Sequence, residues 1–182
     1  MPTFRSRHNT TLPFTRYLAG PADYTPVIFG SRRGDTTAAH QIATAAVFTS
    51  PLLVYGAHPK SLLDSPAVDM IKSIPSVWDE TVVLPISEIG KVAAFARRRG
   101  DQWFLAVLGG PEVRQLTVPL SFLNSSPYRA MLVHDGQSNP TELKIENVEL
   151  FSADTLPLEL GPGGGFIGRF SPTTAPASTI GR

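Results

Sequence analysis

The chain contains no cysteine, which excludes disulfides, thiol nucleophiles and thiolate metal sites. Charge is sparse: 17% of the 182 residues are charged, and 16 basic side chains against 15 acidic ones leave a net charge of +1. That balance gives no electrostatic case for a nucleic-acid partner or an anionic membrane surface. Long apolar runs are missing as well, and none approaches the roughly 20 residues of a membrane-spanning helix. The opening residues, MPTFRSRHN, lack the apolar core of a signal peptide. So few charges beside 42% hydrophobic residues are consistent with a surface partly covered by something else.

What the chain does have is punctuation. Seventeen prolines and fifteen glycines imply many turns and short elements. The length allows one large domain or two small ones, each with a real core. No internal repeat is visible. Residues 1–9 are polar and basic without periodicity and read as a ragged entry. The stretch that organises the rest is 12–26, LPFTRYLAGPADYTP. Phe14, Tyr17 and Leu18 fall on one face of a helix over residues 10–19. Asn9 or Thr10 can cap it, Pro13 fits its first turn, and Gly20-Pro21 ends it. A strand over 12–18 is the competing reading. Residues 22–25 then form a short strand closed by Pro26, and 27–35 a loop.

Residues 36–48 make the strongest helix, capped by Asp35 or Thr36 and rich in alanine. Thr37, His40, Gln41 and Thr44 form a narrow polar stripe, and the rest of the girth is apolar. Such a helix is buried on several sides. A second helical segment, 65–74, starts at Ser65 with Pro66 in its first turn and stops at Pro75. The period then changes. Eight short β-rich runs follow, at 77–84, 91–98, 102–108, 113–118, 128–134, 143–150, 155–160 and 165–170. Arg99-Gly100-Asp101 is a hairpin signal, and Pro119 and Pro157 suit strand ends or edges. Runs at this spacing argue for an antiparallel sandwich or barrel. Residues 171–182 read as a disordered tail.

Chemistry is thin. His8, His40, His58 and His134 have no metal-binding spacing, and His40 fits the polar stripe better than a ligand set. Glycines 161–165 lack the lysine and following helix of a phosphate loop and read as a turn between strands. The Arg-Gly-Asp triplets at 33–35 and 99–101 are explained by turn chemistry. The sequons at Asn9 and Asn124 are patterns that chance often produces. Asp79-Glu80 beside Trp78 reads as a solvated or interface edge. Asp23 stands near the C-terminal end of its short strand, where a barrel enzyme carries its site; bracing the following loop is the plainer alternative. Arg16 could reach a sugar hydroxyl or make a salt bridge. No second acid has a spacing that forces a catalytic pair.

These residues resemble glycoside hydrolase family 97, the calcium-dependent α-glucosidases and α-galactosidases. The resemblance rests on His8-Asn9-Thr10-Thr11-Leu12-Pro13-Phe14-Thr15-Arg16, Ala19-Gly20-Pro21 and Asp23-Tyr24-Thr25-Pro26. It continues through Val47-Phe48-Thr49-Ser50-Pro51-Leu52 and Ile74-Pro75-Ser76-Val77-Trp78-Asp79-Glu80-Thr81. Ala96-Arg97-Arg98, Gly100-Asp101-Gln102-Trp103 and Leu160-Gly161-Pro162-Gly163-Gly164-Gly165-Phe166 complete it. Ala22 stands where members more often have methionine, and Val27 where many have glycine.

The resemblance implies the last elements of a (β/α)8 barrel in residues 1–76, an all-β antiparallel sandwich domain in 77–170 and the tail. It implies catalytic and calcium-binding glutamates upstream of the matched stretch, so no catalytic or metal residue is assigned here. Arg16, Asp23 and Tyr24 are the implied substrate-adjacent residues. The implied partners are an oligosaccharide substrate, the N-terminal sandwich and remaining barrel, and another copy in a homo-oligomer, and relatives are expected to be periplasmic or secreted. A non-catalytic sandwich that binds carbohydrate or oligomerises is the alternative. A chain lacking the rest of its barrel is expected to leave Ile42, Val47, Phe48 and the helix alanines partly uncovered and to self-associate.

Overall fold

The computed structural model describes residues 4–173. Eight strands form where the sequence places them: β1 (Glu80–Val83), β2 (Val92–Arg99), β3 (Gln102–Gly109), β4 (Arg114–Pro119), β5 (Tyr128–Asp135), β6 (Leu143–Leu150), β7 (Thr155–Leu160) and β8 (Gly165–Pro172). Six build one sheet in the order β1-β2-β3-β8-β5-β6, and β4 pairs with β7 in a second. Every ladder is antiparallel. The β2–β3 hairpin closes on the Arg99–Gln102 pair, with Gly100 at φ 60° supplying the left-handed turn residue. Pro157 lies in β7, whose two-stranded sheet leaves each strand an edge.

Side chains alternate across the large sheet with period two. Phe95, Phe104, Ala106, Leu108, Val133 and Ile167 enter a core shared with the helices. Ala94, Trp103, Leu105, Val107, Leu132 and Phe166 enter a second core closed by Val118 of β4 and Leu156, Leu158 and Leu160 of β7. The sandwich expectation is therefore met. Burial on both faces also explains why β2 reads VAAFA, nearly unbroken, rather than as an alternating strand.

The helices are α1 (Arg5–Asn9), α2 (Ala38–Val47), α3 (Pro59–Leu63) and α4 (Val68–Ser73). Thr37 caps α2, its side chain accepting from the His40 N–H, one residue later than the caps expected. Ser65 accepts from the Ala67 N–H ahead of α4.

Several expectations need correction. Residues 1–9 are not a ragged entry throughout, because α1 is a helical turn with Ser6 and Asn9 fully buried. The Asp35 carboxylate holds it, accepting from the Ser6 N–H at 3.2 Å and the Ser6 hydroxyl at 2.8 Å. Residues 10–19 are not one α-helix but two 3-10 turns, Leu12–Phe14 and Arg16–Ala19, broken at Thr15. The hydroxyls of Thr10, Thr11 and Thr15 donate to carbonyls of Ser6, Arg7 and Thr11, a local alternative that competes with helix. Phe14 and Tyr17 pack on the core as expected, whereas Leu18 is 79% exposed.

The third correction concerns α2. Ile42, Val47, Phe48 and the alanines 38, 39, 43, 45 and 46 are all covered, none more than 5% exposed. The large sheet, the two 3-10 turns and α4 close around the helix within the chain itself. The polar stripe is covered too, with His40, Gln41 and Thr44 fully buried.

No ladder forms at 22–25. Residues 22–26 instead lie beside 49–56 in the same direction: Ala22 donates to the Thr49 carbonyl at 3.4 Å and Gly56 to the Pro26 carbonyl at 2.8 Å. Helix α2 joins the two segments. The helix-side core combines Val27, Ile42, Phe48 and Met70 with Phe95, Phe104 and Ile167, so it runs across position 76. Of the expected tail, Ser171 and Pro172 belong to β8, and residues 174–182 lie outside those described.

Candidate functional site

The 3-10 turns and Gly20 (φ 125°) reverse the chain so that Tyr17 and Tyr24 both reach Phe48 at the end of α2. The Tyr17 and Phe48 rings stack at 5.2 Å, and the Tyr24 and Phe48 centroids are 4.2 Å apart. Burial pushes the Tyr17 phenol up to about 12; neighbouring Tyr24 and Asp23 push the same way, and Arg16 opposes. The charges of Arg16 and Asp23 are thus felt at Tyr17. The Tyr17 hydroxyl is buried without a hydrogen-bond partner. Arg16 and Asp23 are exposed, and neither makes an ion pair among the described residues.

Tyr24 is tied into the protein differently. Its hydroxyl donates to Asn9 Oδ1 at 3.1 Å, and burial raises its pKa, so the phenol is neutral. Asn9 Nδ2 lies 2.9 Å from His40 Nε2, and His40 Nδ1 lies 3.1 Å from the Gly164 carbonyl. Both contacts are satisfied when the neutral imidazole carries its proton on Nδ1 and accepts from the Asn9 amide at Nε2. Burial lowers the His40 pKa to about 4, so this form holds at neutral pH. A buried line of hydrogen bonds therefore runs from Tyr24 through Asn9 and His40 to the turn between β7 and β8.

That turn contains the glycines 161–165, and its glycine content has a steric cause. A Cβ on Gly165 would meet the His40 Cα at 2.2 Å, and one on Gly163 (φ 65°) would meet the Asp35 carbonyl oxygen at 1.9 Å. The Thr37 N–H donates to the Gly163 carbonyl at 3.0 Å, and Asp135 accepts from the Gly165 N–H at 2.8 Å. The start of α2 sits directly on the turn, which serves packing rather than phosphate.

Sequence reasoning brought forward Arg16, Asp23 and Tyr24, and missed Tyr17, Asn9 and the reach of His40. The usable signal was the polar stripe on an otherwise apolar helix, since buried polar groups need partners. Asn9 is inside the protein and committed to His40, which removes its sequon from the surface. The Arg-Gly-Asp triplets have partners within the chain: Asp35 accepts from Ser6, and the hairpin turn at 99–101 has its Gly100 N–H donating to Asp79 at 2.7 Å. Asp79 and Glu80 pair with Arg99 and Arg98 on the exposed edge. The group around Tyr17 offers hydrogen bonds and one carboxylate, Asp23; acid–base glycoside cleavage uses two. Among the described residues no group of three or more His, Asp or Glu could hold a metal ion, so the residues present do not fit a calcium site.

The chain resembles known proteins along most of its length. It is 30% identical over 176 residues to a retaining alpha-galactosidase of Bacteroides thetaiotaomicron, which covers 88% of this chain and 26% of that protein. Among solved structures, a glycoside hydrolase family 97 enzyme from Pseudoalteromonas sp. strain K8, in complex with acarbose, superposes with a TM-score of 0.84 at 33% identity. That match spans 93% of this chain and 29% of the other. A beta-arabinopyranosidase gives 0.78 at 26% identity, over 91% of this chain and 28% of its own. The chain thus spans between a quarter and a third of the length of these relatives. Residues 77–171 match the family described as glycosyl-hydrolase 97 C-terminal, oligomerisation, and the chain belongs to that family.

Proposed function

We propose that the chain forms the C-terminal part of an α-glycoside hydrolase of the α-galactosidase or α-glucosidase type. In this reading residues 1–76 are the last elements of the catalytic (β/α)8 barrel, and 77–170 are the β-domain that packs and oligomerises. The observation that carries it is the parallel pair of extended segments, 22–26 and 49–56, joined by α2. A strand, a crossover helix and a parallel strand are the repeating unit of such a barrel. The alpha-galactosidase relatives support the substrate class, an α-linked oligosaccharide. Arg16, Asp23 and Tyr24 stand at the substrate rim in this proposal. Carboxylates in the rest of the barrel carry the acid and nucleophile roles, and any calcium is bound there. The family description supports assembly with a second copy.

The test is a chimaera. This chain replaces the matching segment of the Bacteroides alpha-galactosidase, and hydrolysis of p-nitrophenyl α-galactoside is measured beside the oligomeric state by light scattering. An active chimaera that loses activity on Asp23→Asn supports the reading. A chimaera that folds and assembles but has no activity refutes the barrel assignment and leaves a non-catalytic oligomerisation module.

A further inference from the structure

Arg97, in the second half of β2, is only 7% exposed, yet no carboxylate among the described residues lies within ion-pair distance of it. Its Nη2 donates to the Val47 carbonyl at 3.0 Å and its Nη1 to the Thr81 hydroxyl at 3.1 Å. Its Nε is buried and has no partner. The guanidinium lies over two rings, 5.3 Å from Phe95 and 6.0 Å from Trp78. Ring faces soften the burial of a cation but do not replace a counter-ion. Burial alone lowers the Arg97 pKa to about 10, and it stays charged at neutral pH.

A cavity of about 290 Å³ opens onto this guanidinium. Thr49, Ser50, Ser76, Thr81, Trp78 and Pro21 line it; the Ser50 hydroxyl already donates to the Leu52 carbonyl at 2.8 Å, which leaves Thr49, Ser76 and Thr81 as the hydroxyl donors. No acid lines it. A pocket with a buried cation, hydroxyl donors and no negative charge has the composition of a carboxylate receptor. It differs from the group around Tyr17, which has its own charges and is not part of this wall.

We propose that this cavity binds a carboxylate, with Arg97 as the counter-ion and the Thr49, Ser76 and Thr81 hydroxyls as hydrogen-bond donors. The carboxylate comes from a free small acid or from an acidic side chain of another polypeptide. Thr81 sits directly across from Arg97 in the β1–β2 register and is exposed, so an acid placed there occupies the same position from within the chain.

The test titrates the ¹⁵N-labelled chain with sodium acetate, sodium chloride holding ionic strength constant. The signals followed are the Trp78 indole N–H, the Arg97 Nε–H and the Thr49 and Ser50 amides. Saturable shifts confined to these signals are expected, and their loss is expected in Thr81→Asp and in Arg97→Gln. Thr81→Asp also raises the melting temperature by providing the missing counter-ion. A peptide arm compares acetyl-Gly-Glu-Gly-amide with its glutamine counterpart. Tighter binding of the glutamate peptide than of acetate identifies a polypeptide acid as the occupant; the reverse order identifies a free small acid. Shifts that do not saturate, that chloride alone reproduces, or that survive in Thr81→Asp overturn the proposal, and the last holds even if Arg97→Gln does not fold.

Discussion

His40 converts the buried hydrogen-bond line into a measurable pH dependence. Its imidazole is fully buried, and its pKa falls from 6.5 to about 4 on folding, mainly because burial disfavours the charged form. Nearby Asp35 favours protonation and Arg5 opposes it, both less than burial does. The geometry agrees with the direction. Protonation would put a hydrogen on Nε2, opposite the Asn9 amide, and replace an accepted hydrogen bond with two donors facing each other. The unfolded chain therefore takes up the proton first as pH falls. Stability is fully present above about 6.5, declines as pH drops toward about 4, and loses no more to this residue below that. A displacement of this size corresponds to about 3 kcal/mol.

The measurement is urea unfolding followed by tryptophan fluorescence from pH 8 to pH 4, on the native chain and on His40→Gln. The variant has lower stability at pH 8, since it breaks a fitted buried pair, but it lacks the titration. His134, lowered by burial, and Asp135, raised by burial, are present in both proteins and cancel in the difference. The gap between the two curves is expected to narrow by about 3 kcal/mol between pH 7 and pH 4. Parallel curves across that range refute the assignment of His40 as a buried neutral acceptor.

Substitutions at two further positions read the backbone. Gly165→Ala drives a Cβ into the His40 backbone, so the turn and α2 must separate; a loss of about 1–3 kcal/mol in chemical denaturation is expected, and an unchanged midpoint refutes the close approach. Val27 is β-branched, fully buried and held at φ 58°. Val27→Gly relieves that conformation while losing the side chain, whereas Val27→Ala loses most of the side chain and keeps the strain. The glycine variant is therefore expected to be more stable than the alanine variant by about 1 kcal/mol, the reverse of the usual order, and alanine melting higher than glycine refutes the strain.

The β-domain was legible because its information is local. Short β-rich runs bounded by turn residues mark all eight strands, and Arg99-Gly100-Asp101 marks its hairpin. The first 30 residues were not legible, because their structure depends on remote partners. Arg5–Asn9 looks polar and unpatterned, yet it is folded by Asp35 and His40, about 30 positions away. Three threonine hydroxyls turn 10–19 from α-helix to 3-10 turns, a competition that apolar spacing does not register. Arg97 defeats sequence reading for another reason. An arginine late in a strand ordinarily signals an exposed end, and here two aromatic rings and a helix-end carbonyl take it inside.

The cover over α2 changes where the protein should meet other surfaces. An apolar helix from an incomplete barrel ought to be the adhesive element, but α2 has nothing left to bury. Its girth is divided between the large sheet and the segments on either side of it in sequence, so helix and β-domain share one core. Uncovered apolar side chains lie elsewhere: Val113 at 64% and Ile89 at 59% in the β-domain, and, one layer out from α2, Leu18 at 79%, Leu52 at 74%, Leu63 at 60% and Val54 at 54%. The last four come from the second 3-10 turn, the extended segment after α2, and α3. Covering each would contribute about 1.5–3 kcal/mol. Association driven by burial is therefore expected to use side chains outside α2, on the β-domain or in this outer layer, and it can proceed without disturbing the α2–sheet core or the His40 line inside it.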